Sequence, residues 1–211
     1  GGLSTLQTAA IVGGLPLLGI SVMLMVSAVD LMLIYLSVEL LSLSSYVLAG
    51  FTKLRKRNSE ASLKYIIYGS SASGMMLFGI SVLYGLTGAT NLHEINTVLQ
   101  TTQINIFTLS FAVILIFVGL GFKLSAVPFH FWTPDVYEGS PISITAYLSV
   151  ASKAAALALL IRFVRTTFVD YVDNDGFWDI IQVFDWQTFL IVISLFTMTL
   201  GNLTALWQKN L

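Results

Sequence analysis

Three ionisable side chains lie inside strongly apolar stretches of the chain. Glu39 lies within LIYLSVELLSLSSYVL, Lys123 within GLGFKLSAVPFHFW, and Lys153 within AYLSVASKAAALALL. A charge at the centre of a membrane span costs roughly 2.5–3.5 kcal/mol on insertion scales. Such a group needs a partner, a water-filled cavity or a neutral state, so each of the three is a candidate functional residue.

A buried lysine beside a carboxylate has the properties of a proton switch when the distance between them can change. Burial disfavours the charged form of both groups, which makes proton transfer cheaper. At an effective dielectric near 20, opposite charges about 4 Å apart attract by about 4 kcal/mol. We therefore expect Lys123 to stay protonated while Glu39 is close, and to release its proton more readily when the two groups separate.

The segment after Lys123 predicts a broken helix. Pro128 breaks or kinks a helix, and irregular backbone at membrane depth persists only where it is buried in protein or lines a cavity. His130 follows the break and can titrate near neutral pH, so it is a candidate member of the same proton path. The polar residues expected to support the path are Ser125, Tyr147 and Ser152.

A purely structural role for these residues is the alternative. A lysine near a helix end usually snorkels to the membrane interface, and this explanation fits Lys123. Glu39 could be a hydrogen-bond clasp to Ser42, Ser45 or a neighbouring helix. His130 could hydrogen-bond within the FHFWTP turn.

The amino-acid composition indicates whether water or a lipid bilayer surrounds the folded chain. Of the 211 residues, 56% are hydrophobic and 10% are charged, whereas a soluble domain usually carries about 25% charged residues. A bilayer is therefore the expected surrounding. The net charge of −1 gives no reason to expect nucleic acid as a partner. Because the chain has no cysteine, we expect no thiolate-bound cluster or zinc within it. Its two histidines are too few for a multi-haem protein, so we expect no cofactor in this chain.

The apolar runs predict an all-α polytopic membrane protein with about six spans, one of them broken. A span needs about 20 residues, so the polar break at 27–30 must divide the first long run. Ser59 is expected to be the N-cap of the third span. We expect no strands, a polar connector at 86–104, a turn-rich loop over WTPDVYEGSP and an acidic connector at 166–184. The expected spans are 6–28, 31–51, 59–85, 105–124 with the break after it, 141–165 and 186–207.

Charge asymmetry predicts the orientation of the spans. A basic cluster lies at the end where the second span joins the third, and the positive-inside rule places it in the cytoplasm or matrix. The 86–104 and 166–184 connectors then lie outside. Arg162 and Arg165 flank the second of these connectors, on the side that the rule disfavours. The cluster consists of Lys53, Arg55, Lys56, Arg57 and Lys64.

The stretch KLSAVPFHFWTPDVYEGSP at 123–141 closely resembles the subunit N family of NADH–quinone oxidoreductases, the respiratory complex I enzymes. YLSVELLSLSSYVLAGF, SITAYLSVASKAAALALL and LGNLTALWQKN support the resemblance, which covers most of residues 30–211. Subunits L and M and the multisubunit sodium/proton antiporters usually read PFHxWLPDAMxAPTP at this place. The form DVYEGSP therefore favours subunit N.

The resemblance implies a fold of about fourteen helices with two inverted five-helix repeats. Residues 1–211 would form a single transmembrane domain that is incomplete at both ends. Within it, 1–165 would be the first repeat and 186–207 the first helix of the second. Glu39, Lys123 and Lys153 match the proton-path residues of the family.

The resemblance also implies a function. The chain would be a proton-translocating, antiporter-like subunit that couples electron transfer from NADH to quinone in other subunits to proton pumping. NADH, flavin, iron–sulfur clusters and quinone would be held by partner subunits, and neighbouring antiporter-like subunits would be among its partners. The expected membrane is the bacterial cytoplasmic membrane, with the mitochondrial inner membrane and the thylakoid as alternatives. A subunit of a Mrp-type cation/proton antiporter and a purely structural membrane subunit are the competing functions.

Overall fold

The computed structural model describes residues 5–50, 56–170, 179–180 and 185–206. Long helices dominate this part of the chain, and one short pair of antiparallel strands lies within the acidic connector. The elements are α1 (Thr5–Ser27), α2 (Leu31–Ala49), α3 (Lys56–Thr87), α4 (Leu92–Thr101), α5 (Ile106–Leu124), α6 (Trp132–Gly139), α7 (Ile142–Phe168), β1 (Val169–Asp170), β2 (Asp179–Ile180) and α8 (Trp186–Leu206).

The chain is an integral membrane protein of the all-α polytopic class. Five helical segments in the described ranges are long and apolar enough to span a bilayer: α2, the 59–87 part of α3, α5, α7 and α8. The apolar part of α1, Ile11–Ser27, is shorter. The expected class and the number of about six spans are therefore confirmed.

Asp30 separates α1 from α2 and caps the second helix. Its carboxylate accepts hydrogen bonds from the backbone N–H groups of Met32 and Leu33, which satisfies two donors that an α-helix leaves free at its start. The same carboxylate accepts a 2.6 Å hydrogen bond from Thr90 Oγ1, and Asp30 forms an isolated antiparallel bridge with Asn91. The polar break thus ties the start of α2 to the segment that follows α3.

The predicted polar connector at 86–104 contains a short helix, α4, that the sequence analysis did not anticipate. Asn91 caps the helix through His93 N–H, and Leu92, Ile95 and Leu99 are its buried residues. Their spacing of three and four residues gives the helix one apolar face. Asn96 Nδ2 donates to the carbonyl oxygens of Thr167 and Val169, which holds α4 against the end of α7.

The prediction of a turn-rich loop over WTPDVYEGSP is wrong, because Trp132–Gly139 forms α6. Pro134 is the third residue of this helix. A proline is tolerated in the first turn because the N–H that it lacks has no partner within the helix there. The composition of the segment therefore suggested a loop, although the positions of its residues permit a helix.

Several helix ends also differ from the expectation. α3 begins at Lys56, so Ser59 lies inside the helix and is not its N-cap. α7 continues to Phe168 and leads into β1, and this strand pair contradicts the expectation of no strands. Lys53 and Arg55 of the predicted basic cluster lie outside the described residues.

The core is centred on α5, which packs mainly against α3. At Gly79 an added Cβ atom would lie 2.7 Å from the Ala112 carbonyl oxygen and 2.8 Å from Ile116 N. Glycine therefore allows the two backbones to approach closely, as small residues commonly do between membrane helices. α8 lies at the edge of the described structure, with no fully buried residue.

Candidate functional site

Lys123 lies in the last turn of α5 and is 2% exposed. Its Nζ has no hydrogen-bond partner among the described residues. It lies 5.7 Å from the centroid of the Tyr65 ring, within the range of a cation–π interaction. A snorkelling lysine would extend its amine to water at the interface. The Lys123 amine is instead buried without a hydrogen-bond partner among the described residues, which favours a role in which it gives up its proton.

The end of α5 positions this lysine. Ser125 adopts the left-handed conformation, with φ of 57°, and stops the helix. Its hydroxyl accepts a 2.9 Å hydrogen bond from Thr133 Oγ1, and the Phe122 carbonyl accepts a 3.0 Å hydrogen bond from Trp132 Nε1. Residues at the start of α6 therefore hydrogen-bond to polar groups at the end of α5 that have no partner within that helix. This is what the predicted broken helix requires.

Glu39 is half-buried in α2 and contacts both Ser73 of α3 and Tyr35 of its own helix. It accepts a hydrogen bond from Ser73 Oγ, which lies 3.3 Å from the hydroxyl of Tyr35. The expected clasp partners Ser42 and Ser45 instead donate to carbonyls of α2. The sequence carries no signal that pairs Ser73 with Glu39, because the two residues lie 34 positions apart on different helices.

Glu39 and Lys123 interact through charge but do not share a hydrogen bond. The two opposite charges are close enough to attract each other. Ser73 donates the hydrogen bond to the carboxylate, and the Lys123 amine faces the Tyr65 ring. The structure therefore places the two groups as a loosely coupled pair. A small movement of α2 against α5 would change the strength of this coupling.

A continuous row of aromatic rings, which we term the aromatic bridge, connects Lys123 to Lys153. Tyr65 stacks on Trp132 with centroids 4.6 Å apart and an interplanar angle of 12°. Trp132 meets Tyr137 edge to face at 6.0 Å, and Lys153 Nζ lies 5.5 Å from the centroid of the Tyr137 ring. The aromatic bridge consists of Tyr65, Trp132 and Tyr137, so each of its ends is covered by a lysine.

Lys153 also faces a cleft of about 300 Å³ between the α5–α6 segment, α7 and α8. The cleft brings Lys153 together with His130 and Ser125, two further predicted path residues. His130 Nδ1 is buried without a hydrogen-bond partner among the described residues, so the alternative of a hydrogen bond through Nδ1 within the turn is not observed there. The remaining lining residues are Thr133, Pro134, Gly201, Thr204 and Ala205.

Two predicted supporting residues do not line this cleft. The hydroxyl of Tyr147 donates a 3.2 Å hydrogen bond to the Leu18 carbonyl oxygen, which links α7 to α1. Ser152 precedes Lys153 and is 3% exposed. Neither residue belongs to the aromatic bridge, and their supporting role in the path remains a prediction.

An ion pair holds α6 against α3. Lys64 Nζ lies 2.7 Å from Asp135 Oδ2 and 2.9 Å from Glu60 Oε1. Asp135 is in the first turn of α6, where a carboxylate also interacts favourably with the helix dipole. Sequence reasoning used Lys64 only as a topology signal. Its contact with α6 positions Trp132 and Tyr137, and therefore the aromatic bridge.

The described residues contain no group of three or more His, Cys, Asp or Glu side chains that could hold a metal ion. What the site offers is a half-buried carboxylate, two amines, an imidazole and the hydroxyls of Tyr65 and Tyr137. These two hydroxyls are buried without hydrogen-bond partners in the described structure. All these groups can hold or exchange a proton.

Residues 28–211 match the family model described as NADH:quinone oxidoreductase/Mrp antiporter, TM. NADH-quinone oxidoreductase subunit N 2 of Chloroherpeton thalassium is 51% identical over 187 residues, covering 89% of this chain and 36% of that protein. NAD(P)H-quinone oxidoreductase subunit 2 of Synechococcus is 44% identical over 189 residues, covering 90% and 34%. The chain therefore spans about a third of the length of these relatives.

Solved structures show the same architecture. A chain of respiratory complex I from Thermus thermophilus aligns with a TM-score of 0.62 and 37% identity, covering 70% of this chain and 32% of that chain. A chain of the Mrp complex from Dietzia aligns with a TM-score of 0.61 and 25% identity, covering 70% and 27%. The similarity thus extends to two kinds of multisubunit membrane complex.

Proposed function

The chain belongs to the NADH:quinone oxidoreductase/Mrp antiporter membrane family, and we propose that it forms part of an antiporter-like subunit N that moves protons for NADH–quinone oxidoreductase. The observation that carries the proposal is the pair of lysines joined by the aromatic bridge. Lys123 interacts with the charge of Glu39 at one end, and Lys153 faces the cleft that contains His130 and Ser125 at the other.

Glu39 controls the proton on Lys123 in this proposal. The carboxylate stabilises the protonated amine through charge, and desolvation opposes that form. A displacement of α2 that weakens the interaction releases the proton toward Lys153. The hydroxyls of Tyr65 and Tyr137, together with water, supply the intermediate donors and acceptors. His130 then accepts the proton at the cleft and passes it to the bulk phase, and the hydroxyl of Ser125 serves as a hydrogen-bonding relay beside it.

Redox chemistry belongs to other subunits in this proposal. NADH, flavin, iron–sulfur clusters and quinone are held by partner subunits, and the chain contributes the proton route. Its partners are the other membrane subunits of the complex, including neighbouring antiporter-like subunits. The relatives from Chloroherpeton and Synechococcus favour a bacterial cytoplasmic or thylakoid membrane.

The second candidate is a subunit of a Mrp-type antiporter, which the likeness to the Dietzia Mrp complex supports. Identity favours subunit N, because the relatives of that name reach 51% whereas the Mrp chain reaches 25%. Purification of the native complex separates the two candidates. Co-purifying flavin and iron–sulfur subunits support subunit N, and their consistent absence supports the antiporter.

The proton route is tested with the full-length subunit in its assembled complex. Glu39→Gln and Lys123→Ala are expected to lower proton translocation in membrane vesicles while subunit composition stays unchanged. Lys56→Ala removes a lysine at the start of α3 and serves as the matched control, with translocation at the wild-type level. Unchanged translocation in both site variants would refute the route.

A further inference from the structure

Two arginines near the end of α7 line a cleft that the proton route does not use. The cleft has a volume of about 380 Å³ and is lined by Val26 of α1 together with four residues of α7. These four are Ala158, Ile161, Arg162 and Arg165. Their spacing of three and four residues places all of them on one face of the helix.

The cleft lies at one end of the membrane-spanning bundle. Val26 precedes the last residue of α1, and Arg165 lies in the last turn of α7. The adjoining Thr167 carbonyl accepts from Asn96 of α4, at the end opposite to the Lys64–Asp135 ion pair. Arginines at this depth extend their guanidinium groups toward the headgroup region of a bilayer while their stems stay in apolar surroundings.

The lining matches the two parts of a phospholipid. Val26 is 39% exposed and Ile161 is 50% exposed, so the cleft has an apolar wall that is open in the described structure. Arg162 and Arg165 are half-buried beside that wall, although Arg165 also has an interaction within the chain. A guanidinium group binds phosphate oxygens in a bidentate manner, which a lysine cannot reproduce.

This arrangement accounts for the exception to the positive-inside rule. The rule disfavours arginines beside an outer connector, and neither arginine has a place in the proton route. We propose that the cleft of Val26, Ala158, Ile161, Arg162 and Arg165 binds the phosphate headgroup of an anionic phospholipid in the outer leaflet. The acyl chains then lie along the wall formed by α1 and α7.

The test uses the full-length subunit in its native complex, reconstituted in nanodiscs of phosphatidylcholine with or without phosphatidylglycerol. Native mass spectrometry or lipid extraction measures how much phosphatidylglycerol the protein retains. Arg162→Gln with Arg165→Gln is expected to weaken retention about fivefold for each arginine removed. Lysine at both positions is expected to restore part of it, since charge remains but the bidentate geometry is lost. Arg57→Gln removes an arginine at the opposite end of the bundle and is expected to leave retention unchanged.

Three outcomes overturn the proposal. Equal retention of phosphatidylcholine and phosphatidylglycerol would show that the headgroup charge is not recognised. Displacement of phosphatidylglycerol by inorganic phosphate alone would assign the cleft to a free anion. Retention by the glutamine variants at the wild-type level would remove both arginines from any lipid site. Because none of these measurements depends on proton translocation, failure of the proton route leaves this test unaffected.

Discussion

Tyr65 and Trp132 stack almost parallel, with ring centroids 4.6 Å apart, although they lie on different helices separated by the whole of α5 in sequence. Tyr65 is fully buried and Trp132 is 3% exposed. Lys123 lies over the Tyr65 ring at one end of the aromatic bridge, and Lys153 lies over the Tyr137 ring at the other end. The ring pair, extended by Tyr137, therefore connects the two lysines of the candidate route.

Replacing Tyr65 separates the role of its ring from the role of its hydroxyl. Tyr65→Phe keeps the stacking and removes a buried hydroxyl that has no hydrogen-bond partner among the described residues. We expect stability equal to or above the wild type, with proton translocation lowered several-fold. Tyr65→Leu also loses the stacking and cation–π interactions, about 0.5–2 kcal/mol each, and is expected to lower both stability and translocation. Wild-type translocation by Tyr65→Phe would exclude the hydroxyl from the route.

Lys123→Met is expected to stabilise the protein while it abolishes the proton switch. Methionine fills a similar volume, and the substitution removes a buried amine without a hydrogen-bond partner in the described structure. An unsatisfied buried polar group costs about 1–3 kcal/mol, so the midpoint of thermal unfolding in detergent is expected to rise. Translocation is measured in vesicles from the same preparation. A less stable variant with unchanged translocation would show that Lys123 is structural.

The ion pair between Lys64 and Asp135 is expected to contribute modestly to the docking of α6. The two side chains are 39% and 51% exposed, and solvent weakens the attraction between ion pairs at such positions. A double-mutant cycle with Lys64→Met and Asp135→Asn, read from the free energy of unfolding, measures the coupling. We expect the coupling to fall as the salt concentration rises, because exposed charges are screened. A coupling of zero at low salt would contradict the assigned role.

Asp30 predicts a pH dependence that arises outside the membrane spans. The hydrogen bond from Thr90 holds the pKa of this carboxyl below its ordinary value. Partial burial acts in the opposite direction, and the hydrogen bonds from the backbone N–H groups of Met32 and Leu33 lower the pKa further. A lowered pKa means that the ionised carboxylate stabilises the fold above the unfolded pKa of about 3.9, and that this contribution is lost as the pH falls through the folded value.

Thr90→Val tests this linkage. The substitution is expected to raise the pKa of Asp30 toward its ordinary value, so loss of helical circular dichroism should begin at a higher pH than in the wild type. Asp30→Asn retains an N-cap residue but cannot ionise, and the effect of Thr90→Val should disappear in that background. Identical acid transitions for the wild type and Thr90→Val would show that the hydrogen bond does not control this titration.

The sequence alone predicted the helical class, about six spans and the three ionisable residues inside them. These properties are local, because hydropathy over about 20 residues decides whether a segment can span a bilayer. A charge within such a segment is visible without knowledge of its neighbours. The resemblance at 123–141 then connected Glu39, Lys123 and Lys153 to a proton route.

Local composition was misleading where the position of a residue within a turn mattered more than its type. Two prolines and a glycine in WTPDVYEGSP suggested a loop, but Pro134 lies in the first turn of α6, where it needs no N–H partner. The polar segment before α5 suggested a connector, but Leu92, Ile95 and Leu99 give α4 a buried face. Short helices of this kind depend on packing against the bundle for their stability.

Tertiary structure alone decided which groups meet. The hydrogen bond of Ser73 to Glu39, the stack of Tyr65 on Trp132 and the ion pair of Lys64 with Asp135 join residues that are far apart in sequence. Their spacing carries no periodicity that a local pattern could reveal. The sequence alone determined which charged residues lie within membrane spans, because the free-energy cost of burying a charge depends on the residue itself. Packing of the helices determined their partners, because a contact depends on the approach of two separate surfaces.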